Sequence, residues 1–232
     1  MCETFLGFQG VPALPFDESA SSSPPAAFGT YRVLHPTGSG VLGPVFRAFD
    51  TRHDRLVAVK VLSLDLLPEQ VARLADALRR LATSRPVHPA IVSVIDAGVE
   101  GTAPYVVMAH QMGETLDVRV RKQAGLPLTD VLPWLAAMAD AIDTAGRAGV
   151  YHGVLNPRDI FVGPGDRSVA VTGFGLLQAI AAAGGTAPVR RPYSAPERAT
   201  TTWDWRADIY SFGAIAHEVL TGRRPMGAED QD

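Results

Sequence analysis

The sequence predicts an α+β fold of two lobes with a site between them. Three observations carry this. Three alternating segments between Tyr31 and Leu62 surround a glycine-rich turn, the pattern of consecutive strands. After Pro68 the apolar spacing changes to a helical one. Two long apolar stretches, Val131 to Ala148 and Trp203 to Leu220, then make the second part helical. A strand-rich part followed by a helix-rich part buries two separate faces and leaves a cleft where they meet.

Each element has its own local signal. Residues 1–28 are expected to be a flexible tail, because Ala20 to Ala27 reads A-S-S-S-P-P-A-A and offers no periodic apolar face. Y-R-V-L-H from Tyr31 alternates as a half-buried strand. G-P-V-F-R-A-F and R-L-V-A-V-K-V-L supply the next two. Pro68 stands where a first helical turn tolerates it, and Val71, Leu74, Ala75, Leu78 and Leu81 form one stripe behind it. Strand character returns over Ile91 to Val99 and Pro104 to Met108, and again over Ile160 to Val162 and Val169 to Thr172.

The 232 residues suffice for one medium domain or two small lobes, and 47% hydrophobic with 19% charged residues is the balance of an ordinary globular chain. A net charge of -3 gives no ground for a nucleic-acid or anionic-membrane partner. Cys2 is the single cysteine, so no internal disulfide forms, which fits a reducing, cytoplasmic setting. No basic segment followed by an apolar run marks a signal peptide, and no apolar run reaches the ~20 residues of a membrane span.

Two groups of residues suggest a ligand. Gly38, Ser39, Gly40 and Gly43 belong to a G-x-G-x-x-G pattern that runs on into strand residues Val45, Phe46 and Ala48. The glycines therefore sit at a hairpin tip, where backbone N–H groups reach phosphate oxygens without a side chain between them. A tight hairpin with no ligand reads the same way. Lys60 ends V-A-V-K, with Ala58 two residues before it on the same face. A lysine on the inner face of an apolar strand needs an anionic partner, unless its stem carries the ammonium out to water.

The segment Tyr151 to Ile160, Y-H-G-V-L-N-P-R-D-I, resembles the catalytic loop of protein kinases, H-R-D-x-K-P-x-N. Gly173-Phe174-Gly175 stands where that family has D-F-G, and Tyr193 to Ala199, Y-S-A-P-E-R-A, resembles its A-P-E motif. In order and spacing these motifs resemble the bacterial (Hanks-type) serine/threonine protein kinases from about Tyr31 to Pro225. The resemblance implies one kinase-like unit over 29–232: a first lobe over about 29–108, a hinge at 109–113, and a second lobe over 114–232 that stops after the lobe-anchoring helix. It also implies that Gly38, Ser39, Gly40, Gly43, Val45, Ala58 and Lys60 hold ATP, with Met108 behind the adenine and Ala109 to Gln111 along its edge. Asp208 would bond the catalytic-loop backbone near His152. Ile209, Phe212, Ile215, Val219 and Leu220 would lack part of their cover, unless another chain, in an oligomer, supplies it.

The departures concern chemistry. The catalytic carboxylate position is Val154, the arginine before it Gly153, the lysine Asn156, the metal-binding asparagine Asp159, and the metal-binding aspartate Gly173. Valine has no lone pair for a substrate proton, and a positioned base is worth ~10²–10⁴-fold. Asp159 remains as one carboxylate for magnesium, which usually needs one or two beside the phosphates. Counting from Lys60, the helix glutamate that pairs with the lysine is replaced by Arg79, with Asp76 one turn earlier as a substitute; Arg79 and Arg80 read equally well as a solvated helix face. Gly153 removes a phosphate receiver, and the segment from Gly173 to Glu197 has few hydroxyls, Thr186 being the plainest. The expectation is a pseudokinase: a nucleotide-binding or scaffold module in phosphorylation signalling that engages a protein partner, with ATP as candidate ligand and the magnesium site in doubt. The alternatives are a divergent active serine/threonine kinase, with Asp159 as base, and a truncated, non-functional kinase product.

Overall fold

In the computed structural model, residues 25–225 are described, apart from positions 41, 84, 85, 124, 164, 166, 167, 187, 188, 190 and 201. The first lobe is a six-stranded sheet in the order β1-β2-β3-β4-β6-β5. Its strands are β1 (Ala27–Phe28), β2 (Tyr31–Gly40), β3 (Gly43–Asp50), β4 (Arg55–Val61), β5 (Val94–Glu100) and β6 (Ala103–Ala109), all paired antiparallel. The β3–β4 turn is closed by buried Asp50, whose carboxylate accepts from the backbone N–H groups of Arg52 and His53 and from Arg55 Nε. Burial alone would raise this carboxyl's pKa, but the bonds from His53, Arg55 and Arg52 outweigh it and hold it low.

The tail boundary expected at residue 28 lies inside this sheet. Phe28 is buried, with its ring 5.5 Å from Phe46 and 5.3 Å from Tyr105. An aromatic ring gains enough from that burial to recruit a short strand ahead of Tyr31.

Helix α1 (Pro68–Thr83) packs on the sheet through Leu74, Ala75 and Leu78, the stripe that its sequence predicts. The second lobe holds β7 (Glu114–Thr115), α2 (Leu116–Lys122), α3 (Leu128–Arg147), β8 (Ile160–Val162), β9 (Val169–Val171), α4 (Leu176–Ala182) and α5 (Arg206–Thr221). Its core joins Val131, Trp134, Met138 and Ile142 of α3 to Ile215 and Val219 of α5. The apolar face of α5 is thus covered in part by the chain itself. Ile215 and Val219, one turn apart, lie against α3, and Phe212 is half-buried there, whereas Ile209 and Leu220 are exposed. Among the described residues no helix is long and apolar enough to cross a membrane.

Helix α4 directly after Gly175 was not foreseen. At 7 residues it is too short to persist alone in water. Leu176, Leu177 and Ile180 bury one face in the apolar cluster that also holds Leu74 and Leu78 of α1. Its signal was present as the i, i+1, i+4 spacing of those residues, ending at Gly184-Gly185.

Candidate functional site: the interlobe cleft

Between the lobes lies a cavity of about 340 Å³. Gly40, Val45, Ala58, Lys60, Met108, Ala109, Gln111 and Asp159 all border it, from five different parts of the chain. Pairing explains the convergence. Val45 of β3 is opposite Lys60 of β4, and Ala58 is opposite Met108 of β6, so one sheet face presents all four to the cleft. Gly40 lies over the lysine, where an added Cβ would be 3.1 Å from Lys60 Nζ. At the end of β6 the Gln111 side-chain amide donates to the Ala109 carbonyl at 3.2 Å.

The other three glycine-loop positions do not border the cavity. Gly38 and Ser39 are exposed on the hairpin. Gly43 has φ +139°, and a Cβ there would lie 2.2 Å from the Val61 carbonyl oxygen, so this glycine serves close strand packing. Within the hinge range, His110 also borders the cavity, and sequence reasoning missed Thr37, Thr172 and Phe161, which border it too. Phe161 lies in β8 and Thr172 directly follows β9, just ahead of Gly173, and that position was the available signal. Burial, with Arg47 and His35 nearby, pushes the His110 imidazole below its ordinary pKa, so it is neutral at pH 7.

Lys60 and Asp159 are both buried, and Lys60 Nζ stands 3.9 Å from Asp159 Oδ1. Asp76 on α1 does not take the place of the helix glutamate. Arg79 instead donates to Asp76 at 2.8 Å on the exposed side of the helix, so neither residue faces Lys60. The physical reason is the leucine stripe. Burying Leu74, Ala75 and Leu78 turns position 79 outward, and hydrophobic burial outweighs a register counted by length.

The catalytic-loop segment is held by its backbone. Asp208, buried in the first turn of α5, accepts from the N–H groups of His152 (2.8 Å) and Gly153 (2.6 Å). Burial raises the pKa of this carboxyl, while His152, both amides and Arg198 oppose the shift. His152 Nε2 donates to the Thr172 carbonyl at 2.8 Å and its Nδ1 accepts from the Val154 amide at 3.4 Å, which assigns the Nε2–H tautomer. Asn156 turns back into the loop. Its Oδ1 accepts from the Arg158 amide at 2.9 Å, and its Nδ2 donates to Asp159 Oδ2 at 2.5 Å.

The remaining substituted positions are packed. Val154 is buried in the apolar cluster that includes Leu177 and Trp203. Gly153 has φ +77°, and a Cβ there would lie 2.6 Å from the Trp203 ring. That ring is stacked under the Arg198 guanidinium at 4.2 Å, and Arg198 Nε donates to the Gly153 carbonyl at 2.8 Å. Gly173 has φ +99°, and its Cβ would lie 2.7 Å from His152 Nε2. Backbone conformations with positive φ strain any residue with a side chain.

An antiparallel sheet lobe, a helical lobe, a cavity between them and a buried aspartate holding the loop backbone together define the protein kinase architecture. Residues 31–232 match the protein kinase domain family, and the chain belongs to it, on the bacterial serine/threonine side. The chain is 32% identical over 213 residues to the serine/threonine-protein kinase PknA of Mycobacterium tuberculosis, covering 87% of this chain and 49% of that protein. It is 29% identical over 204 residues to a probable serine/threonine-protein kinase of Clostridium acetobutylicum, covering 86% of this chain and 31% of the relative. The chain thus spans half or less of the length of these relatives. Among solved structures, a double mutant of the Mycobacterium tuberculosis PknI kinase domain superposes with a TM-score of 0.70 at 26% identity. That match covers 86% of this chain and 78% of the other.

Proposed function

We propose that this kinase domain is a pseudokinase, a nucleotide-binding or scaffold module in which phosphoryl transfer has been given up. The observation that carries the reading is the packing at Gly153, Val154 and Gly173. Each of these three positions, where the chemistry needs a charged side chain, either lies in hydrocarbon or has no room for a Cβ. A general base, a phosphate-receiving arginine and a metal-binding carboxylate at those three places would all need the local structure to shift.

ATP is the candidate ligand. The cavity of about 340 Å³ has apolar walls at Val45, Ala58, Met108 and Phe161, with one ammonium at Lys60, a lining of the kind that holds small ligands. The donor set fits magnesium poorly. Asp159 is bonded by Asn156 and paired with Lys60, and Glu114 is paired with Arg119 and Lys122. Among the described residues no cluster of three acid, histidine or cysteine side chains is suited to a metal ion.

The test is thermal unfolding with ATP, with and without magnesium, beside a γ-phosphate transfer assay on a general protein substrate. At ~100 times its dissociation constant a ligand of the folded state adds about 2.7 kcal/mol. A melting shift that magnesium does not increase, lost in Lys60→Ala, with no transfer, is the expected result. Transfer abolished by Lys60→Ala would sink the reading.

A further inference from the structure

A second cavity, of about 400 Å³, lies between α4 and the segment that leads from Arg198 to Trp203. No described residue borders both it and the interlobe cleft. Leu177 and Ile180 of α4 and the Trp203 ring give it apolar walls, and Thr186 and Thr200 bring hydroxyls. Among the described residues Arg198 is its one charged group.

Arg198 is only 8% exposed and is held in one pose. Its Nε donates to the Gly153 carbonyl at 2.8 Å, and its guanidinium carbon lies 4.2 Å from the centre of the Trp203 ring. Its two Nη groups donate to nothing among the described residues, and no described carboxylate forms an ion pair with it. Asp208 is the acid whose charge acts on it, but that carboxylate is already bonded by the His152 and Gly153 amides. Burial lowers the Arg198 pKa, and the Asp208 charge does not offset the shift. A buried cation without a direct counterion is costly, and an anion in the cavity would relieve that cost.

We propose that this cavity binds a small organic acid with one carboxylate and an apolar body. The cation selects the anion. With Nε taken by Gly153, the Nη pair is the open side of the guanidinium, and it matches the two oxygens of a carboxylate. A phosphomonoester carries about -1.5 to -2 at neutral pH and would call for more than one cation. The last carbonyls of α4 are no obstacle to the acid, because those of Ile180 and Ala181 accept from the Gly185 and Gly184 amides at 2.9 Å. The walls select the body. Leu177, Ile180 and Trp203 offer hydrocarbon around one polar anchor, and the volume falls within the ~300–1,000 Å³ of small-molecule sites. An acidic side chain of a protein partner fits less well, since among the described residues no second charge borders the cavity to fix a peptide on either side. The proposal goes beyond nucleotide binding and does not depend on it.

The experiment is a fluorescence titration of the whole 232-residue chain, with Trp203 at the cavity as reporter, beside a melting curve. The probes are 4-phenylbutyrate and octanoate, each against its uncharged amide, with inorganic phosphate and a pentapeptide carrying one central glutamate for comparison. At least one acid should saturate the signal, bind about tenfold or more tightly than its amide, and raise the melting temperature. Arg198→Gln should weaken it by about tenfold. Because that variant also loses the Gly153 bond, two others decide independently of it. Ala181→Phe and Ala199→Phe each put a ring into the cavity from an exposed position on its wall, so each should keep the parent's melting temperature and lose the acid. Ala58→Phe, in the interlobe cleft, should leave acid binding unchanged. Equal binding of acid and amide, no saturation by either acid, full binding by both ring variants, loss of binding in Ala58→Phe alone, or tighter binding of phosphate or of the glutamate peptide than of both acids would each overturn the proposal.

Discussion

Near β6, the cleft is bordered by Ala58, Met108 and Thr172 around open space, and Lys60 and Asp159 bring charge to its wall. Near α4, Val154, Leu177 and Trp203 pack together, and no side chain fits at Gly153 without moving the Trp203 ring. One end kept a cavity and its polar groups. The other was filled with hydrocarbon. The difference teaches that the substituted positions are not merely missing acids. Val154 is a core residue, and α4 depends on the surface to which it contributes. That also explains why Lys60 turns to Asp159. With apolar Leu74 and Leu78 on the inner face of α1 and no side chain at Gly173, Asp159 is the carboxylate within its reach.

The hardest way to break this comparison is to put a charge back. Val154→Asp would bury a carboxylate in the apolar cluster that holds Leu177 and Trp203, and should cost about 3 kcal/mol or more of stability in a denaturant titration. Gly173→Asp should also destabilise, since its Cβ meets His152 and its φ is +99°. Neither variant should gain phosphoryl transfer. A stable, active double variant would show that the apolar end is no more than an incidental resting arrangement. Next, Leu78→Ala should cost about 2–5 kcal/mol, because the residue is fully buried between α1 and its neighbours. A cost under about 1 kcal/mol would mean that α4 and α1 do not depend on each other's packing.

Ala58→Phe acts at the open end. It fills the cavity rather than the core, so the protein should stay folded while the ATP-dependent melting shift disappears. Loss of folding instead would show that the nucleotide end is also packed. The smallest effect is ionic. Burial would raise the Asp117 pKa, but hydrogen bonds from Thr115 and Arg121 and the charges of Arg121 and Arg158 outweigh it and hold it low. A depressed carboxyl contributes stability above its unfolded pKa and loses it as pH falls through the folded one. Asp117→Asn should therefore be less stable than the parent at pH 7 by under about 1 kcal/mol. The gap should close as pH falls below the ordinary carboxylate range. A gap that widens in acid would contradict the assignment.

Much of this architecture was legible in the chain. The three strands after Tyr31, the stripe from Leu74 to Leu78 and the long helices α3 and α5 follow from periodicity, because burying one face of an element leaves a repeat in its sequence. The convergence of Val45, Ala58, Lys60 and Met108 could be named because strand pairing carries a fixed geometry. For Arg79 the count between motifs and the solvated helix face were both open in the sequence, and burial of the leucine stripe decides for the solvated face. Other features had no local cause. Whether Val154 faces a ligand or a core depends on a seven-residue helix that forms only against that core. The meeting of Arg191 and Arg224 at one cavity depends on how distant segments are brought together. Composition and period determine which faces must be buried, since each is a property of one segment. Which distant segments share a surface, and whether that surface holds space or hydrocarbon, was decided only when the lobes packed.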